Sequence, residues 1–134
     1  MIHIIYISSA TKDMNEKDLL ELLEESRRNN KKYNVTGMLL YKNGAFLQVL
    51  EGDEKYVDEI YKTILQDERN TGHYLIERKE ITQRQFPDWS MGFEDLTHHG
   101  IDELEGYSDI FKKKKSPHEI AKFRDMVVDL LLRF

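Results

Sequence analysis

Cysteine is absent from this 134-residue chain, proline occurs twice and tryptophan once. Without cysteine there is no disulfide framework, no thiolate nucleophile, no iron–sulfur cluster and no zinc site with a sulfur ligand. Long hydrophobic runs are also missing: stretches such as Leu130-Leu131-Leu132 are far too short to span a bilayer, and Met1-Ile2-His3-Ile4-Ile5 is no basic region leading into a long apolar one. The expectation is a soluble protein of a reducing cytoplasm with no membrane partner. Positive charge is in deficit, with 20 Lys and Arg against 25 Asp and Glu and a net charge of −5, so no direct nucleic-acid partner is expected. The run Lys112 to Lys115 reads as a solvated loop. His98 and His99 are adjacent in an expected loop while His3, His73 and His118 are scattered, no His-x-x-x-His or carboxylate cluster completes a metal or hydrolytic site, and the glycines form no phosphate-cradling loop. What remains is one domain with one core.

The segment from Ile2 to Ser9 is β-branched and aromatic on both alternating sets, which predicts a central strand covered on both faces. From Asn15 to Lys32 the period becomes helical: Asn15 suits a cap, Asp18 sits at the third position, and Leu19, Leu22, Leu23 and Ser26 recur on one face. Val35 to Tyr41 and Ala45 to Glu51 flank Asn43-Gly44, which predicts a β-hairpin with a type I′ turn. Asp53 offers a second cap, and Val57, Ile60, Tyr61, Ile64 and Leu65 predict a helix that stops near Asn70-Thr71-Gly72. Strand-like stretches follow at Tyr74 to Ile81 and, after Phe86-Pro87-Asp88, at Trp89 to Phe93. The order βαββαββ predicts an α+β, ferredoxin-like sandwich: a mixed sheet with two helices on one face and an added strand. Phe46 to Leu50 are apolar on both alternations except at Gln48, so the other face also needs cover. The helix starting at Ser116-Pro117-His118-Glu119, with its stripe Ile120, Phe123, Val127, Leu130, Leu131 and Phe134, is the available piece.

Several polar residues stand where the pattern wants apolar ones. Asn30 lies eleven residues after Leu19, hence about 20° from it around the helix, and so points along the buried stripe. It bonds either the helix-end carbonyls or something beyond them. Gln48 interrupts the apolar third strand, and its buried amide must be satisfied either within the core or by a polar, planar ligand. Tyr6 on the central strand reaches Gln48 if the first and third strands are neighbours. Trp89 and Met91, two apart on the last strand, are expected on the same side of it. Asp67, seven residues after Ile60, falls on the inward stripe at the close of the second helix, beside Arg69 and Asn70. Lys31 and Lys32 complement the helix dipole or meet an anion.

Taken together, Tyr6 with Ser8, Ser26-Arg27-Arg28-Asn29-Asn30 leading into Val35-Thr36-Gly37-Met38-Leu39-Leu40-Tyr41, Phe46-Leu47-Gln48-Val49-Leu50-Glu51-Gly52 and Phe86-Pro87-Asp88-Trp89-Ser90-Met91 resemble a BLUF domain, the blue-light sensor using flavin. The resemblance spans residues 1 to about 95, with residues 96–134 as a helical cap and relay. It implies a non-covalent flavin between the two helices, FAD foremost, with FMN or riboflavin as alternatives. By resemblance Asn30 holds the ring's pyrimidine edge, with Asn29 beside it, and Gln48 sits between Tyr6 and the flavin. Asp67, Arg69 and Asn70 close the far edge, Lys31 and Lys32 meet ribityl or phosphate oxygens, and Ile7, Val35 and Leu40 supply apolar walls. Asn70 stands where many members carry histidine. Tyr6, Ser8, Gln48, Trp89 and Met91 form the photoactive set.

The implied function is a photoreceptor and not an enzyme. Its signal would pass to a separate downstream protein, and it would assemble as a homo-oligomer, a dimer or larger. Two rivals share the fold: an acylphosphatase-like enzyme and a flavin-free scaffold. The first needs arginine and glycine in the loop after the first strand, which here reads Ser8-Ser9-Ala10-Thr11-Lys12.

Overall fold

A computed structural model describes residues 1–95. The β-branched opening forms β1 (Ile2–Ala10), in which Ile2 to Ser9 are all buried, as expected of a strand covered on both faces. A capping box starts α1 (Glu16–Lys32): the Asn15 side chain accepts from the Asp18 amide, and the Asp18 carboxylate accepts from the Asn15 amide. Leu19, Leu22 and Leu23 bury the helix face that spacing assigned to the core. The helix ends with the Asn30 carbonyl accepting from the amides of Tyr33 and Val35, and Asn34 takes a left-handed conformation.

The hairpin follows as β2 (Thr36–Lys42) and β3 (Ala45–Gly52), with positive φ at both Asn43 and Gly44, as a type I′ turn requires. Asp53 stands at the start of α2 (Glu54–Leu65), and its backbone carbonyl accepts the first helical bonds. The helix stops at Leu65, short of the expected Asn70 to Gly72. The Asp67 side chain captures the Arg69 amide at 2.9 Å and turns the chain. Asn70 therefore opens β4 (Asn70–Glu80) instead of closing the helix. Gly72, with φ of 64°, lies where the β1–β4 register shifts, so it serves a β-bulge and not a helix end.

The last strand also differs from expectation. β5 covers only Gly92–Asp95, and residues 81–91 before it are irregular. The expected strand from Trp89 is thus corrected, and the rule that residues two apart share a face does not reach Trp89 and Met91. Trp89 is 41% exposed and stacks on Phe86, whereas Met91 is 1% exposed and belongs to the core.

The strand order is β4-β1-β3-β2-β5, a ferredoxin-like four with β5 added parallel to β2. Antiparallel pairing places Tyr6 opposite Gln48, and Gln48 opposite Leu39. On this face Ile4, Tyr6, Leu39, Phe46 and Leu50 pack with Leu19, Leu22 and Leu23 of α1 and Val57 and Ile60 of α2. Each such aliphatic side chain contributes about 1.5–3 kcal/mol on full burial. The expected C-terminal helical cover and its stripe lie outside the described residues.

Candidate functional site

The two helices diverge over this face of the sheet and leave a cleft of about 920 Å³, its open mouth included. Its floor is Ser8 of β1, Leu39 of β2 and Phe46 and Gln48 of β3, all buried. One wall is α1, through Leu22, Glu25, Ser26, Asn29, Asn30 and Tyr33; the other is α2, through Glu59, Ile60, Thr63 and Ile64. Asp67, Arg69 and Asn70 close one end. The Gln48 amide and the Ser8 hydroxyl lie buried at the floor and the buried Asn30 amide in the α1 wall, while Glu25 and Arg69 are half-buried and Glu59 is exposed.

Gln48 is bonded at both ends. Its Oε1 accepts from the Tyr6 hydroxyl, and its Nε2 points at Met91 Sδ, 3.7 Å away. Tyr6 is buried, and burial foremost, then the nearby Tyr61 and Asp67, push its phenol well above the ordinary value. The Tyr6 ring also packs against Tyr61 and His73, at centroid distances of 4.9 and 5.9 Å. Burial lowers His73 below its ordinary value, against the opposing pull of Asp67. Asn30, 1% exposed, reaches across to the Ser90 carbonyl and not to its own helix end.

At the closing end Arg69 forks onto Asp67, through Nε at 3.0 Å and a second guanidinium nitrogen at 2.5 Å, and also reaches Glu25 of α1 at 3.0 Å. The paired guanidinium holds the Asp67 carboxyl below its usual range. Beside it the Asn70 side-chain oxygen is buried with no hydrogen-bond partner.

Of the residues expected at one site, Ser8, Asn29, Asn30, Gln48, Asp67, Arg69 and Asn70 converge on the cleft, with Tyr6 and Met91 joined to it through Gln48. Others do not. Ile7 and Leu40 pair with Leu47 on the opposite pleat from Tyr6, so they face away from the cleft. Val35 packs in the core beneath Gly52. At 100° per residue Lys31 lies about 180° from Leu22, on the far side of α1, whereas Lys32 flanks the cleft face about 20° from Glu25 without lining the cleft. Both are exposed, and the Lys32 ammonium sits over the Tyr33 ring at 5.4 Å. Sequence reasoning missed Glu25, Glu59 and Thr63. For α1 a signal existed, since Leu22, Ser26, Asn29 and Tyr33 recur at helical spacing; Glu59 and Thr63 read as ordinary solvent-facing positions. Among the described residues no group of His, Asp and Glu could hold a metal ion, and no helix is long and apolar enough to cross a membrane.

Residues 1–92 match the family model described as sensors of blue light using FAD. The chain belongs to the BLUF family. A photoactivated adenylate cyclase subunit beta of Euglena longa is 36% identical over 89 residues, which is 66% of this chain but 10% of that protein. Among solved structures, a bacterial light-regulated adenylyl cyclase is 28% identical with a TM-score of 0.76, over 99% of this chain and 40% of that one. The photo-activated state of BlsA is 26% identical with a TM-score of 0.78, over 98% and 94%. The BLUF domain is a sensor, using flavin to detect blue light, and is not itself a catalyst.

The cleft residues fit a flavin. A flavin ring is flat and apolar on its faces, with carbonyl acceptors and a ring N–H along one edge. Leu22, Leu39, Phe46, Ile60 and Ile64 offer apolar contact, the Asn30 and Gln48 amides can donate, and the orphaned Asn70 oxygen calls for an N–H.

Proposed function

We propose that this BLUF chain reports blue light through a hydrogen-bond switch centred on Gln48. Asn29, Asn30, Gln48, Asp67, Arg69 and Asn70 would hold the flavin, with Ser8 on the floor. When bound, flavin supplies blue-light absorption and an excited state that accepts an electron. Tyr6 is the donor this chain provides: a buried neutral phenol whose proton already lies on a bond to Gln48. Loss of an electron would make that proton strongly acidic, so that it would pass along the Tyr6–Gln48 bond, and electron and proton would both return to Tyr6 later. Meanwhile the amide can turn. In the present arrangement its oxygen faces Tyr6 and its nitrogen Met91; rotation exchanges them and alters which group donates into the cleft.

The observation that carries this reading is the Tyr6–Gln48–Met91 line at the cleft floor. The flavin expected is FAD, as in the family description, with FMN and riboflavin sharing the same ring. Trp89, stacked outside on Phe86, would report and relay the change and not contact the ring. The signal would reach a separate protein in the cytoplasm, or act through the chain's own oligomerisation. The relatives' pairing of this domain with adenylate cyclases supports regulation of an effector.

The test is absorption of protein purified in the dark. The flavin band should move reversibly to longer wavelength under blue light, and Gln48→Leu should retain flavin but lose the shift. Colourless protein sinks the reading, and normal switching by Gln48→Leu removes Gln48 from it.

A further inference from the structure

Of the two bonds at Gln48, the one on its nitrogen is the weaker. Nε2 points at Met91 Sδ, 3.7 Å away, and a thioether sulfur is a poor acceptor. The sulfur is nevertheless held in place, because the Met91 carbonyl accepts from Arg27 at 2.9 Å and the neighbouring Ser90 carbonyl accepts from Asn30. Two other methionines set the scale for its surroundings. Met1 is 41% exposed, whereas Met38 is as buried as Met91, at 1%. Met38 pairs with Val49 and Leu39 with Gln48, so Met38 lies on the pleat that faces away from the cleft. Met91 is therefore closed to solvent, yet its sulfur touches the side chain at the centre of the cleft floor.

We propose that Met91 is a light-dependent modification site, oxidised to methionine sulfoxide by dioxygen activated in the cleft, and that the sulfoxide locks the Gln48 amide in its present orientation. The inference rests on the flavin reading above. Dioxygen that takes up the excitation energy becomes singlet oxygen, and the Met91 sulfur gives it an electron pair to form an S–O bond. Water then cleaves the O–O adduct. One thioether, one dioxygen and one water yield one sulfoxide and one hydrogen peroxide; sulfur loses two electrons, dioxygen gains them, and both protons of the peroxide come from the water. A sulfoxide oxygen is a strong acceptor where the thioether was a weak one. At 3.7 Å the sulfur already stands where an oxygen added to it can accept from Nε2 at ordinary hydrogen-bond length. With Tyr6 donating to Oε1, both ends of the amide are then firmly held, and turning it would set its oxygen against the sulfoxide oxygen, acceptor against acceptor. Tyr6 competes for the same excitation, so the modification accumulates slowly with light dose and leaves a loss of response that darkness does not restore.

The test is prolonged blue illumination, in air, of the full flavin-bearing chain purified in the dark, followed by digestion and mass spectrometry of the methionine peptides. The added oxygen should be found on Met91 about threefold more often than on exposed Met1 or on Met38, which is equally buried on the other face of the sheet. Hydrogen peroxide in the dark should reverse that order and favour Met1, and illumination without oxygen should leave Met91 intact. The reversible red shift should fall in proportion to Met91 oxidation, while Met91→Leu, which has no sulfur to oxidise, should lose none of the amplitude it starts with. Oxidation that follows exposure in the light as in the dark, or a full red shift from chains carrying the Met91 sulfoxide, overturns the proposal while leaving the photoreceptor reading intact. A chain that binds no flavin overturns both.

Discussion

At Gln48 one side chain holds two bonds of opposite sense, and that is what makes the position sensitive to substitution. Tyr6→Phe removes the donor to its oxygen and leaves a buried acceptor unmatched, at a cost of about 1–3 kcal/mol. The expected outcome is a flavin-bearing protein with a lowered urea midpoint and no reversible red shift. Because burial raises the Tyr6 phenol well above its ordinary value, its proton stays on through the neutral range. The amplitude of the light-induced shift should therefore stay flat between about pH 6 and pH 9, and an amplitude that titrates there would point to another group. Asn30, Gln48 and Tyr6 were legible in the sequence for one reason: each is polar where period and burial call for apolar. Lys31 and Lys32, the basic residues at the helix end, are not part of the cleft lining: Lys31 lies on the far side of α1, and the Lys32 ammonium sits over the ring of Tyr33. Glu25 was marked only by its helical spacing from Leu22 and Asn29, since a glutamate on an amphipathic helix ordinarily faces water.

The hairpin and both helices were legible because capping, turn chemistry and periodicity agreed. The segment leading to β5 was not, because long-range bonds hold it in place of local pattern. Glu51, fully buried, accepts from the amides of Gln85 at 2.6 Å and Phe86 at 3.1 Å, and its own backbone carbonyl accepts from Arg84. Burial raises this carboxyl, against the pull of those two amides and of Arg84. Glu51→Ala would strand two amides at about 1–3 kcal/mol each. The expected result is a lower urea midpoint and altered emission from Trp89, the single tryptophan, which stacks on Phe86 next to those amides. Gly37 is a second such point. A Cβ there would stand 2.0 Å from the Val49 carbonyl oxygen of β3, so Gly37→Ala must force the strands apart. It should destabilise by about 1–3 kcal/mol or more, as read by thermal unfolding.

For the molecule as a whole, the Asp67–Arg69–Glu25 link ties α1 to the turn after α2 across one end of the cleft. Arg69 depresses the Asp67 carboxyl in the folded state, so the pair's contribution is present above the ordinary carboxylate range and is lost as pH falls through the lowered value. Stability should be insensitive to this pair from about pH 5 upward and decline below about pH 4, with Asp67→Asn flattening that decline in acid-range denaturation curves.

The segment before β5 hangs from three consecutive carbonyls: Trp89 accepts from the Gly37 amide, Ser90 from the Asn30 side chain and Met91 from Arg27. Asn30 is thus a wall of the cleft and a peg for the chain at the same time. Among the described residues β5 is an edge strand, paired only with β2, and the chain continues from it past them. A change at the cleft wall has one side chain, and no hinge or sliding helix, between it and the polypeptide's way out. The lever is about as short as a protein can build.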